Sequence, residues 1–287
     1  MLKVLPDEVI SDPYPYFFKD GILPEDMFQS LVDSYPSDQA FLSSKRGQLE
    51  KGRGARVNID EYSLHLKNLI GISQSWNDFF SYINSQQFMD FIFNLFGMSL
   101  TKFNCNLLLN ETRFEPIREI PSRNPVYSPE TIGHSLISRV LKKIGLFDYY
   151  QHLVYENYCK FNNIDSNTLS VNFQLCWSKS GYATEIHTDN RNKLAVLLVF
   201  LNEIDAEGGE FIIHSHRKSG SEKNHGRYPN EDQTEIKRIC KPQPNTGLVF
   251  LNTNNSYHSV TGMGEGEVAR KFLYISVCAP FKTSLWG

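Results

Sequence analysis

Leu169-Ser-Val-Asn-Phe-Gln-Leu-Cys-Trp177 sets large apolar residues at 169, 171, 173, 175 and 177 against Ser170, Asn172, Gln174 and Cys176. Successive side chains of an extended strand point to opposite faces, so this alternation predicts a half-buried strand. The stretch also marks a change of texture along the chain. Before it, apolar residues recur mainly at helical spacing. After it, short apolar runs are separated by turn residues.

Residues 194–201 form a continuous apolar run ending at Asn202, the profile of a strand buried on both faces. A turn is predicted at Ala206-Glu207-Gly208-Gly209, then a strand through Phe211, Ile212 and Ile213. Residues 236–240, 247–252, 257–260 and 269–278 complete the predicted strands. Residues 215–235, rich in Ser, Lys, Asn, Glu and Gly, read as an exposed loop. Upstream, Pro24-Glu25-Asp26 opens a predicted helix carrying Phe28, Leu31, Val32 and Tyr35, and Pro36 closes it. Residues 76–96 predict one or two buried helices, and residues 131–145 and 147–160 a helical pair joined at Gly145. Residues 110–130, with Pro116, Pro121, Pro125 and Pro129, read as a long irregular connection. Helices followed by many short strands imply an α+β chain. The expectation is one domain over 1–287, with residues 1–165 a mainly helical support packed against a β-sandwich or barrel over 166–282.

Composition narrows the function classes. Hydrophobic residues make up 40% and charged residues 21% of the 287, the profile of a globular protein with a sizeable core. A formal charge of −3 gives no reason to expect nucleic acid, and Lys142-Lys143 reads as solvated helix face. Five cysteines, at 105, 159, 176, 240 and 278, are scattered, odd in number and without C-x-x-C. They imply reduced thiols and a cytoplasmic location. No apolar run reaches the roughly 18 residues of a membrane span, and the N-terminus lacks a signal-peptide pattern. The expected protein is soluble and independent of membranes.

The chemistry concentrates in Glu185-Ile186-His187-Thr188-Asp189-Asn190. On an extended strand His187 and Asp189 project to one face, and a later strand can bring His258 to them. Two imidazoles and a carboxylate on one side of a metal leave adjacent positions open for substrate and dioxygen, the donor set of non-haem Fe(II) oxygenases. Read alone, either histidine is an ordinary residue of a β-protein and Asp189, beside Asn190, an ordinary turn residue. His214 and His216 also share a face, but nothing adjacent completes a second metal site, and the pair reads as a strand end.

In chain order come His187-Thr188-Asp189, the run 194–201 with Asn202, Gly208-Gly209-Glu210-Phe211, Pro244-x-x-Gly247-Leu248-Val249-Phe250, His258-Ser259-Val260 and Arg270. Over residues 168–280 this series resembles the 2-oxoglutarate/Fe(II)-dependent dioxygenase superfamily, in its prolyl-4-hydroxylase-like branch. Asp12-Pro-Tyr-Pro-Tyr-Phe-Phe18, with the helix from Pro24, is also similar to the opening segment of many such enzymes. Residues 37–165 carry no family signal. The resemblance implies a double-stranded β-helix, or jelly roll, with iron in its mouth, held by His187, Asp189 and His258. It also implies hydroxylation, because related halogenases carry a small residue where this chain has Asp189. Arg270, twelve residues after His258, would grip the far carboxylate of 2-oxoglutarate through two parallel hydrogen bonds. The bland alternative is a solvated arginine on an edge. Arg270, Phe272, Tyr274 and Ser276 share one strand face, and Leu273, Ile275 and Val277 the other. Trp177 stands ten residues before His187, where related enzymes often carry a tyrosine that touches the co-substrate; tryptophan offers an indole but no phenolic hydroxyl. Gln174, Asn172 and Tyr182 are candidate polar contacts in the mouth.

The expected activity is an Fe(II)-, 2-oxoglutarate- and dioxygen-dependent hydroxylation of an unactivated C–H bond. Without an obvious peptide-binding module, and with near-neutral charge, the chain points to a small-molecule substrate such as an amino acid or biosynthetic intermediate. The alternatives are a protein or peptide hydroxylase of the prolyl type and a non-catalytic jelly-roll binding protein. The chain is expected to work alone or as a homodimer. The loop 215–235, with the connection 110–130, is expected to form the entrance.

Overall fold

Antiparallel sheets and helices make up the chain in the computed structural model, which describes residues 2–43, 56–61, 63–107, 112, 114, 136–162, 165–217 and 226–286. The strands are β1 (Tyr16–Lys19), β2 (Arg56–Asp60), β3 (Ser170–Ser178), β4 (Thr184–His187), β5 (Lys193–Phe200), β6 (Phe211–His216), β7 (Thr234–Cys240), β8 (Thr246–Leu251), β9 (His258–Val260) and β10 (Arg270–Cys278). The helices are α1 (Glu25–Asp33), α2 (Asp38–Ser43), α3 (Leu64–Ile72), α4 (Gln74–Ile83), α5 (Gln86–Lys102), α6 (Leu136–Lys143) and α7 (Phe147–Asn162). A six-stranded sheet runs β1-β8-β5-β10-β3-β2 and a four-stranded sheet β4-β9-β6-β7. From β3 onward the chain passes back and forth between the sheets, so the small sheet faces the large one.

Register decides which side chains go where. Phe272 lies opposite Cys176 and Phe200, and Leu273 opposite Leu175 and Val199. Directly opposed residues share a face, so the large sheet sorts its residues by parity. Ile59, Phe173, Leu175, Val199 and Leu273 join the helix residues Leu31, Trp76, Phe79 and Phe88 in one core. Leu198, Phe200, Phe250 and Phe272 face Phe211, Ile213 and Val260 of the small sheet in a second core. Close approach at β8 needs glycine: a Cβ on Gly247 would lie 2.0 Å from Ile22 Cδ1.

Local signals set the helix boundaries. The expected helical stretch 76–96 divides into α4 and α5 because Ser73 and Ser85 each cap a first turn, accepting from the backbone N–H of Trp76 and Phe88. Gly145, at φ +73°, links α6 to α7 in the left-handed region that glycine adopts readily. Among the described residues no helix is long and apolar enough to cross a membrane.

Four expectations need correction or limitation. Residues 1–165 are not only helical support, since β1 and β2 form both edges of the large sheet. These strands are only four and five residues long, too short for alternation to stand out. The loop expected over 215–235 is narrower, because β6 runs to His216 and β7 starts at Thr234; residues 218–225 lie outside the described residues. The connection 110–130 also lies outside them, apart from Thr112 and Phe114. Finally, Trp177 faces the helices and stacks on Phe41 with ring centroids 6.4 Å apart and planes at 19°. Its parity with Phe173 and Leu175 makes this placement unavoidable, and it removes Trp177 from the co-substrate contacts. Truncation of this ring, 4% exposed, by Trp177→Ala is expected to cost about 3–5 kcal/mol of stability. Denaturant unfolding would register the loss.

Candidate metal centre

His187, the last residue of β4, pairs directly with His258, the first residue of β9. Opposed residues on adjacent antiparallel strands point the same way, and the two rings stand with centroids 4.4 Å apart. Asp189 lies two residues beyond the end of β4, rather than on the strand itself. The turn that carries it is tied down at Thr188, whose N–H donates to Arg227 O at 2.9 Å and whose carbonyl accepts from the Arg227 guanidinium at 3.2 and 3.3 Å. One donor atom from each of His187, Asp189 and His258 falls within 4.8 Å of the others. Among the described residues this is the one group of three or more metal-binding side chains so gathered.

Hydrogen bonds set the tautomers. His187 Nδ1 lies 2.8 Å from Glu185 O, and His258 Nδ1 lies 2.9 Å from Ser256 O. A carbonyl only accepts, so each Nδ1 carries the proton and each Nε2 keeps its lone pair for a ligand. Burial pushes His258 down to about 3, with His187 beside it adding to the effect, and burial also lowers His187. Both rings are therefore neutral. For Asp189 burial opposes the charge, but the Lys193 ammonium beside it holds the carboxyl well below its ordinary range. Neutral imidazoles and an ionised carboxylate are the forms that bind a metal.

A further set of contacts orients the carboxylate. Asp189 Oδ1 accepts from Lys193 Nζ at 3.1 Å, and Oδ2 accepts from the Tyr274 hydroxyl at 3.1 Å. Lys193 Nζ and Tyr274 Oη are themselves 2.5 Å apart. Aromatic rings wall the histidines: Phe211 stacks on His258 at 5.1 Å and 14°, and Tyr228 on His187 at 6.2 Å and 18°. A ligand set fixed by hydrogen bonds and flanked by apolar surface suits a reactive metal.

Arg270 opens β10 on the same face of the large sheet as Tyr274 and is 1% exposed. Its Nη1 donates to Gly209 O at 2.6 Å, while its Nε has no hydrogen-bond partner among the described residues. Gly208 and Gly209 have φ of +84° and +76°, and a Cβ on Gly208 would lie 1.9 Å from Gly262 O. Only glycine fits this turn, which brings the Gly209 carbonyl onto the guanidinium. Burial lowers Arg270 to about 10, with Tyr182 opposing and Arg56 reinforcing the shift. Lys271 turns the other way, with Nζ 3.4 Å from Asp38.

The structure thus brings His187, Asp189 and His258 together and puts Arg270 and Gln174 on the face that looks toward them. Asn172 instead donates to Glu61 at 3.3 Å. His214 is 5% exposed, with Nε2 2.8 Å from Ser259 Oγ, consistent with a strand residue rather than a second metal site. Sequence reasoning missed Lys193, the Arg227-Tyr228 pair and Arg56. Lys193 merely heads an apolar run, and Arg227-Tyr228 belongs to a polar stretch without periodicity. Only the brief alternation Arg-Val-Asn-Ile-Asp over 56–60 could have pointed to Arg56.

No known protein family matches this sequence, and no curated protein does. The chain is similar in structure to a prolyl-4-hydroxylase of Pseudomonas putida, at 10% identity over 92% of this chain and 91% of that one, with a TM-score of 0.43. It is similar to a prolyl 4-hydroxylase of Phytophthora capsici at 11% identity, over 94% of this chain and 60% of that one, with a TM-score of 0.41. It is also similar to an oxidoreductase of the 2OG-Fe(II) oxygenase family from Burkholderia pseudomallei, at 17% identity and a TM-score of 0.27. That match covers 39% of this chain and spans 45% of the Burkholderia protein. These neighbours are 2OG-Fe(II) oxygenases and prolyl 4-hydroxylases.

Proposed function

We propose that this chain is an Fe(II)- and 2-oxoglutarate-dependent dioxygenase that hydroxylates an unactivated C–H bond of a small molecule. The observation that carries this reading is the convergence of His187, Asp189 and His258 with both Nδ1 atoms anchored to backbone carbonyls. Two imidazoles and one carboxylate fit Fe(II) with positions left for other ligands. The sheet orders β8-β5-β10-β3 and β4-β9-β6-β7 support a double-stranded β-helix as the scaffold.

When bound, iron with 2-oxoglutarate and dioxygen would supply the oxidant, which no side chain here can provide. The chain supplies position and environment. His187, Asp189 and His258 would hold the metal, and Lys193 and Tyr274 keep the Asp189 carboxylate ionised and aimed. Arg270 would receive the far carboxylate of 2-oxoglutarate, since a buried guanidinium with an unpartnered Nε is poorly satisfied without an anion. Phe211 and Phe250 pack against the His258 ring.

Tyr228 stacks on His187 while remaining 57% exposed, so it lies between the metal ligands and solvent. It belongs to the described part of the polar stretch 215–235, which we assign to the substrate entrance. Tyr228→Ala should leave 2-oxoglutarate decarboxylation without prime substrate largely intact and lower substrate-coupled turnover by about tenfold. The decisive experiment measures succinate release, with Fe(II) and 2-oxoglutarate present, across free amino acids, metabolites and peptides. Stimulation by a small molecule supports the reading, stimulation by peptides alone redirects it to a peptide hydroxylase, and no iron-dependent consumption of 2-oxoglutarate sinks it. Equal coupling in Tyr228→Ala and the unaltered protein would move specificity away from the entrance.

A further inference from the structure

Arg56 and Arg270 occupy two strands that flank β3, and both lie opposite Ser178. Opposed residues share a face, so the two arginines stand on the same side of the sheet with a serine between them. Their guanidinium groups lie over the same rings. Phe272 is 5.2 Å from the Arg56 group and 4.7 Å from that of Arg270, and Tyr182 is 5.9 and 5.8 Å away. Arg56 also lies 5.6 Å over Tyr274, whose hydroxyl donates to Asp189. The second arginine therefore lies against the tyrosine that orients Asp189.

Among the described residues neither guanidinium is in an ion pair, although the Glu210 carboxylate acts on Arg270 from a distance. Among the described residues Arg56 donates only to uncharged acceptors: Asn58 Oδ1 at 2.9 Å, Cys176 Sγ at 3.1 Å, Tyr182 Oη at 3.3 Å and Gln174 Oε1 at 3.5 Å. Burial raises the Cys176 thiol, which keeps it uncharged. Among the same residues Arg270 has one carbonyl and an unpartnered Nε. Among the described residues no carboxylate is in ion-pair contact with either. Two like charges, Arg270 buried and Arg56 half-buried, set against the same rings, repel each other and lose part of their hydration. Tyr182 registers the resulting field: burial opposes ionisation, yet Arg56 and Arg270 pull its phenol below the ordinary value. An arriving anion relieves both the repulsion and the lost hydration.

We propose that Arg56 is a second carboxylate-binding residue, forming with Arg270 a two-guanidinium pocket against Ser178. The carboxylate comes either from 2-oxoglutarate or from the prime substrate, which would then itself be an acid. Naming those two acids rests on the dioxygenase reading above; the pocket itself does not.

The test uses glutarate, which carries both carboxylates of 2-oxoglutarate without the oxo group that chelates a metal. Calorimetric titration of glutarate into the metal-free full-length protein reads the guanidinium pocket alone. Arg56→Gln should weaken glutarate binding by about tenfold or more in protein that circular dichroism shows to be folded. Arg56→Lys keeps the charge but loses the planar fork, so a smaller loss of about fivefold is expected. Should Arg56→Gln not fold, Arg56→Lys decides alone. Unchanged glutarate affinity in the variants, or no glutarate binding by the unaltered protein, overturns the proposal. A second titration, of 2-oxoglutarate into the Mn(II)-loaded protein, separates the sources. An equal loss in Arg56→Gln assigns the carboxylate to the co-substrate, and a retained affinity assigns it to the substrate. Failure of the dioxygenase reading would show as absent iron-dependent decarboxylation with glutarate binding still intact.

Discussion

Asp189→Ala should abolish stoichiometric Fe(II) binding. The carboxylate is the only anionic donor of the three, and its loss leaves two neutral imidazoles to hold a dication. Changes to residues that merely orient metal ligands already cost about 10–100-fold in affinity, so removal of a ligand should exceed that range. The same substitution leaves the ammonium of Lys193, now 3.1 Å from the carboxylate, without its anionic partner. Some thermal destabilisation should therefore accompany the metal loss, and iron analysis must be made on folded material. His187→Ala and His258→Ala should also lose iron, without stranding a charge. Unchanged iron content and turnover in any one of the three variants would remove that residue from the centre.

Arg270→Ala should raise the 2-oxoglutarate requirement far more than the Fe(II) requirement. Deleting one partner of a buried guanidinium–carboxylate pair costs on the order of 2–5 kcal/mol, or roughly 30- to 5,000-fold in affinity. Lys271→Ala is the matched control, because its ammonium faces away and contacts Asp38 at 3.4 Å with 30% of the side chain exposed. Such exposed pairs contribute about 0–1 kcal/mol. Titration of 2-oxoglutarate against succinate release compares the two. A larger effect from Lys271→Ala would mean that the inward face of β10 does not hold the co-substrate.

Much of the architecture could be read from local pattern, because its signals are local. Alternation at 169–177 specifies β3 and its two faces, the apolar run at 194–201 specifies the buried β5, and Gly208-Gly209 specifies a turn that only glycine can make. His187 and His258 could be named from motif spacing, but their direct pairing across β4 and β9 is a matter of register, which the sequence states only indirectly. Trp177 shows the opposite error: a motif position suggested a contact that the residue's own parity excludes. The place of Arg56 in the sheet was illegible because nothing within residues 56–60 says which sheet edge the strand joins. Its partner Ser178 lies more than a hundred positions away, and pairing at that distance leaves no periodic trace.

The parity of β3 has a consequence for how this protein can change. Positions 171, 173, 175 and 177 grip the helices, whereas 174, 176 and 178 look toward the opposing sheet and the two arginines. The two sets share a backbone but almost no neighbours. Natural variation, or a designed library, can therefore rewrite the even positions to admit a different acid while the odd positions keep the scaffold standing. One nine-residue strand thus separates inheritance of the fold from invention of its selectivity.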